Sequence, residues 1–198
     1  MNFLAHLHIA DATQTNFAGA IAGDFVKGPL PDQLTDFDLG VALHRGVDGY
    51  IDSHPLLLEL KQQFPKPYRR TSGILLDMAF DHLLAKNWHQ WHPSQLPQFT
   101  QFGYKQVLND AALPNNARRT VTAMARGDWL SSYATEHGLS MAITGISRRL
   151  SRPQLLLGGE QALAELKSDV QQTFDKLYPQ IIAFSRQHAD ALALTQQS

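Results

Sequence analysis

Apolar positions recur along this chain at intervals of three and four, the period of an amphipathic helix, and nowhere alternate as in a half-buried strand. Helical segments are predicted at about 14–27, 38–53, 68–91, 94–111, 115–149 and 159–190, the fifth broken near Gly127 or Gly138. The breaks fall at Gly28-Pro29-Leu30-Pro31, His54-Pro55, Pro65-Lys66-Pro67, Pro93, Pro114-Asn115-Asn116 and from Arg152-Pro153 to Gly158-Gly159. Each is short enough to join neighbouring helices. The pattern predicts an all-α, single-domain helical bundle over residues 1–198. The last segment, with Leu163, Leu166, Val170, Phe174, Leu177 and Ile181 on one stripe, is read as core.

Two apolar segments are interrupted by groups that do not belong in a core. The run from Gly73 to Ala85 is apolar nearly all round, and its ionisable residues are Asp77, Asp81 and His82. On a helix Asp77 and Asp81 project about 40° apart, on the side of Ile74, Phe80 and Leu84. Like charges in such surroundings must share a proton, pair with cations such as Arg45 or Arg70, or bind a metal ion. The segment 39–52 repeats the theme, with His44 and Asp48 one turn apart among Val41, Val47 and Ile51. Asp52 and His54 could support that pair or close a local turn. Asp24 follows the small residues Ala18 to Gly23 and serves either a site or a helix cap. His6 and His8 share a face if their segment is extended and diverge if it is helical. His89 and His92, set among Trp88 and Trp91, read as packing or surface aromatics.

Composition narrows the chemistry. The chain has no cysteine, so a metal must be held by imidazole nitrogen and carboxylate oxygen, donors that suit Mn, Mg, Fe or Zn. Such an ion would polarise a phosphoryl oxygen and activate water. Net charge is −1, which suggests no bulk attraction to nucleic acid. Seven of the nine histidines lie in the first 92 residues, which places the expected function there. Neither a membrane span nor a signal peptide is read from the sequence, which points to the cytoplasm.

Four blocks carry a resemblance. Met1-Asn-Phe-Leu-Ala-His6, Gly23-Asp-Phe-Val-Lys-Gly28, His44-Arg-Gly-Val-Asp48 through Asp52-Ser-His-Pro55, and Leu76-Asp-Met-Ala-Phe-Asp-His82 with Lys86-Asn-Trp88 resemble the acyl carrier protein phosphodiesterases. The resemblance implies a helical fold like the HD-type metal-dependent phosphohydrolases, or a rearranged variant, since the chain has Asp81-His82 and no His-Asp dipeptide. It implies hydrolysis of the phosphodiester between 4'-phosphopantetheine and the serine of acyl carrier protein. The favoured ion would be Mn, with Mg, Fe or Co as substitutes. It implies His6, Asp24, His44, Asp48, Asp77 and Asp81 as metal ligands, and Arg45 and His82 as catalytic groups. An acidic carrier protein needs a basic rim, for which Arg69, Arg70, Arg148, Arg149 and Arg152 are the candidates. The competing readings are an HD-like hydrolase of nucleotides or small phosphoesters, and a helical metal-binding protein without activity.

Overall fold

The structure is a computed structural model that describes residues 1–148 and 150–195. The described residues form eleven α-helices and no strand, so the all-α expectation holds. The helices are α1 (Phe3–Thr13), α2 (Phe17–Ala22), α3 (Asp36–Asp52), α4 (Pro55–Gln63), α5 (Ser72–Lys86), α6 (Leu96–Asn109), α7 (Asn115–Arg126), α8 (Trp129–Ser132), α9 (Glu136–Ser147), α10 (Gly159–Glu165) and α11 (Lys167–Thr195). Short 3-10 turns span Lys66–Tyr68, Trp88–Gln90 and Pro153–Leu155.

Helix α5 lies at the centre, packed on α1, α9, α10 and α11. From Leu75 to Ala85 every residue but Asp77 is buried. The predicted stripe is core, with Leu163, Val170, Phe174, Leu177 and Ile181 buried, but its segment is two helices, α10 ending at its C-cap Leu166 before α11 begins. Helix α2 lies directly on α3, because a methyl group on Gly19 would sit 2.2 Å from the Phe37 carbonyl oxygen.

Three departures from the predicted elements have local causes. The segment 14–27 is helical only over Phe17–Ala22, since Gln14 takes a left-handed conformation that ends α1 and the Asn16 side chain caps α2 through Gly19 N–H. The His54-Pro55 break starts a helix instead of only ending one. His54 Nδ1 accepts from Leu56 N–H at the N-cap of α4, and Pro55 occupies the first turn, where its missing N–H costs nothing. The stretch 115–149 breaks twice, at Gly127 and before the Thr135 cap of α9.

Helix α1 settles the direction of the two early histidines. It is helical, so His6 and His8 leave it about 200° apart. His8 turns into the core, where its Nδ1 accepts from the Tyr178 hydroxyl at 2.7 Å and its Nε2–H donates to the Trp91 carbonyl at 3.2 Å. Burial holds this imidazole down at about 4, against the Trp91 bond that favours the proton. Between pH 6.5 and 4 the unfolded chain therefore binds a proton that the folded chain refuses, and stability falls as pH drops through that window. The loss for this one group is about 3 kcal/mol. His8→Gln is expected to flatten the pH dependence of urea unfolding between pH 6.5 and 4.5. An unchanged slope would assign the effect to other groups.

Candidate active site

The site grows from two helices that meet at nearly parallel rings. On α3, His44 and Asp48 stand one turn apart, with His44 Nε2 3.1 Å from Asp48 Oδ2. From α1, the His6 ring stacks on that of His44, centroids 3.8 Å apart and planes at 18°. Space for the His44 ring exists only because position 23 has no side chain. His44 Nδ1–H donates to the Ala20 carbonyl at 2.6 Å, which fixes the proton there and leaves Nε2 facing the carboxylates of Asp48 and Asp24, the latter at 3.6 Å. His6 Nε2 lies 3.2 Å from Asp48 Oδ1, is buried and completes no hydrogen bond. One nitrogen from each histidine and one oxygen of Asp48 all lie within 4.8 Å of one another.

Asp48 lines a cleft of about 160 Å³, and the two histidines lie buried behind it. Asp24, Asp48, Asp52 and Asp77 supply its acidic lining, and Ile51, Ile74, Met78 and Ile146 its apolar lining. The amino group of Met1 sits between two of the acids, 3.2 Å from both Asp48 Oδ1 and Asp77 Oδ1. Burial would lower its proton affinity, but Asp77, Asp48 and Asp81 together raise it to about 11. His44 behaves likewise: burial opposes its charge, and Asp24 and Asp48 outweigh burial to bring it to about 9. His6, desolvated and beside His44, stays down at about 4. Burial would also raise Asp48, yet His44, His6 and the Met1 ammonium hold its carboxyl far below the usual carboxylate range. Asp77 is open to the cleft along one edge, and burial behind it raises its carboxyl despite the pull of Met1. The ionised Asp48 draws positive charge inward, as the Met1 ammonium and His44 show. A buried imidazole nitrogen without a partner, a second one aimed at carboxylates and an ionised aspartate fit a divalent cation with nitrogen and oxygen donors.

Asp81 lies one turn beyond Asp77, but its oxygens are already engaged. Oδ2 accepts from Leu4 N–H at 2.9 Å and Oδ1 from Ala5 N–H at 3.1 Å, so the carboxyl serves the start of α1. Burial lifts it to about 7 against the pull of those amides. No arginine pairs with Asp77 or Asp81 among the described residues. Arg45 donates to the carbonyls of Gly28 at 2.9 Å and Val26 at 2.8 Å, and His82 Nδ1 bonds the Tyr133 carbonyl at 2.7 Å. The structure thus brings His6, Asp24, His44, Asp48 and Asp77 together, places Asp81 behind them and directs Arg45 and His82 elsewhere. Asp52 pairs with Lys61 at 3.0 Å.

The arginines expected to form a basic rim lie on two segments far apart in sequence. Thr71 Oγ1 donates to the Leu155 carbonyl at 2.7 Å and Tyr68 O–H to the Leu157 carbonyl at 3.2 Å, which ties the chain before α5 to the chain after α9. Arg69, Arg70, Arg148 and Arg152 lie exposed on these segments. Arg149 falls outside the described residues. Sequence reasoning missed the space that Gly23 leaves for His44 and the apolar lining of Met78 and Ile146. The adjacency of Gly23 to Asp24 was the available signal, since glycine before a site residue marks close approach.

A family model described as acyl carrier protein phosphodiesterase matches residues 1–181. Relatives bearing that description are 32% identical in Photorhabdus laumondii, over 90% of this chain and 92% of theirs, and 33% identical in Yersinia pestis, over 90% and 94%. One from Escherichia coli is 29% identical, over 92% and 96%. No solved structure matches. Fold, cleft and relatives together define an all-helical phosphodiester hydrolase. The chain belongs to the acyl carrier protein phosphodiesterase family.

Proposed function

We propose that this enzyme hydrolyses the phosphodiester that joins 4'-phosphopantetheine to the serine of holo acyl carrier protein. Water adds to phosphorus, the bond to the serine oxygen breaks, and that oxygen takes a proton to give apo acyl carrier protein and 4'-phosphopantetheine. The observation that carries the reading is the convergence of His6 Nε2 and His44 Nε2 on the Asp48 carboxylate, which lines the cleft. These three would hold a divalent cation, Mn in the first place and Mg, Fe or Co as substitutes, with Asp24 and Asp77 beside them. The bound ion would supply a polarised phosphoryl oxygen and a water of lowered pKa.

The chain's own groups set the rest. The Ala20 carbonyl holds one His44 proton on Nδ1, so the proton that a bound ion would displace is the one on Nε2. Asp81 anchors the start of α1 and with it the height of His6. Ile74, Met78 and Ile146 offer the uncharged part of the prosthetic arm an apolar wall. The carrier protein, acidic and cytoplasmic like the enzyme, docks on Arg69, Arg70, Arg148 and Arg152, with Arg149 in the same segment. No acid lies between Glu59 and Asp77 or between Glu136 and Glu160, so nothing within either segment neutralises this rim.

The test uses metal-stripped protein, holo acyl carrier protein and Mn, with the product weighed by mass spectrometry. Loss of the phosphopantetheine mass only when Mn is present supports the reading. An unchanged carrier protein at saturating Mn, with turnover of nucleotides instead, overturns it. Docking is tested by salt: attraction across about 8–10 Å is screened at physiological ionic strength, so turnover of the carrier protein should fall while that of a small phosphodiester does not. Arg148→Glu with Arg152→Glu should mimic the salt. Equal salt dependence for both substrates would remove the rim from the docking surface.

A further inference from the structure

Of the carboxylates around His44, Asp24 stands on no helix. It follows the end of α2 in a turn, 53% of its side chain is exposed, and its 3.6 Å approach to His44 Nε2 is looser than that of Asp48. An aspartate so placed keeps its position only if its loop is held from elsewhere.

Two consecutive residues of α3 hold it. On the α2 side of Asp24, His44 Nδ1–H reaches back to the Ala20 carbonyl. On the other side, Arg45 Nη2–H donates to the Val26 carbonyl and Nη1–H to the Gly28 carbonyl. Both arms of the guanidinium are therefore spent on backbone two and four residues beyond Asp24, and Gly28, at φ 82°, gives the turn a shape that presents its carbonyl there. Phe25 adds a looser contact, its ring stacked over Phe3 of α1 at 6.4 Å.

We infer that Arg45 is a positioning residue: it clamps the 24–28 loop so that the Asp24 carboxylate stays at the cluster, rather than gripping the substrate phosphate. The role toward a bound ion rests on the function proposed above, whereas the clamp itself does not. The planar fork of arginine suits two carbonyls at a fixed spacing, which the single ammonium of lysine cannot satisfy together.

Two measurements separate these levels. In metal-free protein, trypsin cleavage after Lys27, which lies exposed inside the clamped loop, should be about fivefold faster in Arg45→Met than in the wild type, because cleavage needs the loop to open. By titration with Mn followed by electron paramagnetic resonance, Arg45→Met should bind Mn about tenfold more weakly, the scale on which groups that orient a ligand act. Asp24→Ala/Arg45→Met should bind no more weakly than Asp24→Ala, because the arginine acts through that carboxylate. Arg45→Lys should fall between Arg45→Met and the wild type. Unchanged cleavage after Lys27 overturns the clamp. Unchanged or additive Mn affinities, with KM for the carrier protein raised in Arg45→Met, overturn the route through Asp24 and return the guanidinium to the substrate. A wild type that binds no Mn overturns the proposed metal dependence instead, and the cleavage rates then decide the clamp alone.

Discussion

Asp48→Asn is expected to lower kcat/KM by about a thousandfold or more, about 4 kcal/mol of transition-state stabilisation, with the helical content unchanged. Asp48 is the hub of the site. The Nε2 atoms of both histidines approach it, at 3.2 Å from His6 and 3.1 Å from His44, and so does the Met1 amino group. An asparagine fills the same volume but brings no negative charge, so it removes the anion that the proposed cation would meet and one of the two carboxylates, with Asp24, that favour a charged His44. Among the described residues the ion pairs of the neighbouring carboxylates lie elsewhere, Asp24 with His44 and Asp77 with Met1, so neither takes the place of Asp48 between the two histidines. Steady-state kinetics at saturating Mn, with circular dichroism as the control for folding, check the result. Retention of more than about a tenth of the activity would show that the reaction does not depend on this cluster.

A single methyl group should do comparable harm at Gly23. A Cβ there would lie 2.1 Å from Cδ2 and 2.2 Å from Cγ of His44, well inside contact distance. The backbone is not the obstacle, because Gly23 has φ −50° and ψ −36°, which alanine adopts readily. The ring cannot retreat either, being bonded to the Ala20 carbonyl on one edge and stacked on His6 across its face. Gly23→Ala is therefore expected to cost about 1–3 kcal/mol of stability by overpacking. It should cost about a hundredfold in turnover, the scale of a displacement near 1 Å at reacting groups. Gly49→Ala is the matched control: next to Asp48 on the same site helix, its new methyl meets nothing within 4 Å. It should leave turnover alone and raise the melting temperature slightly, as glycine in a helix is less favourable than alanine by about 0.5–1 kcal/mol. Equal behaviour of the two variants would refute the packing argument.

What could be read in the sequence was what helical spacing dictates locally. His44 with Asp48, and Asp77 with Asp81, are pairs within one helix, and their shared direction follows from the geometry of a single turn. What could not be read depends on partners far along the chain. Whether Asp81 faces a cation or another helix is decided by Leu4 and Ala5, 77 and 76 residues away. The same holds for Arg45, whose pair of carbonyls becomes available only once the loop after α2 folds back, and for His82, which points from the far side of α5 to Tyr133. Helix α4 was missed for a different reason. Its opening residues, His54 and Pro55, are the kind that also end helices, and the polarity of that signal is settled by the bond from Leu56 N–H to His54.

The way α1 begins bears on the order in which the enzyme becomes an enzyme. The free amides of its first turn are all accounted for, Phe3 by the Asn2 side chain, His6 by the Asn2 carbonyl, and Leu4 and Ala5 by Asp81. Two of the four thus depend on a residue that leaves the ribosome long after they do. During synthesis α1 emerges early, apolar and incompletely capped, and its end is secured only when α5 has been made and docked beneath it. His6 takes its place at that same moment. The start of α1, and with it the footing of His6, is consequently not complete in any nascent fragment that ends before α5, and part of the core that surrounds α5 comes later still, from Val170, Phe174 and Leu177 of α11.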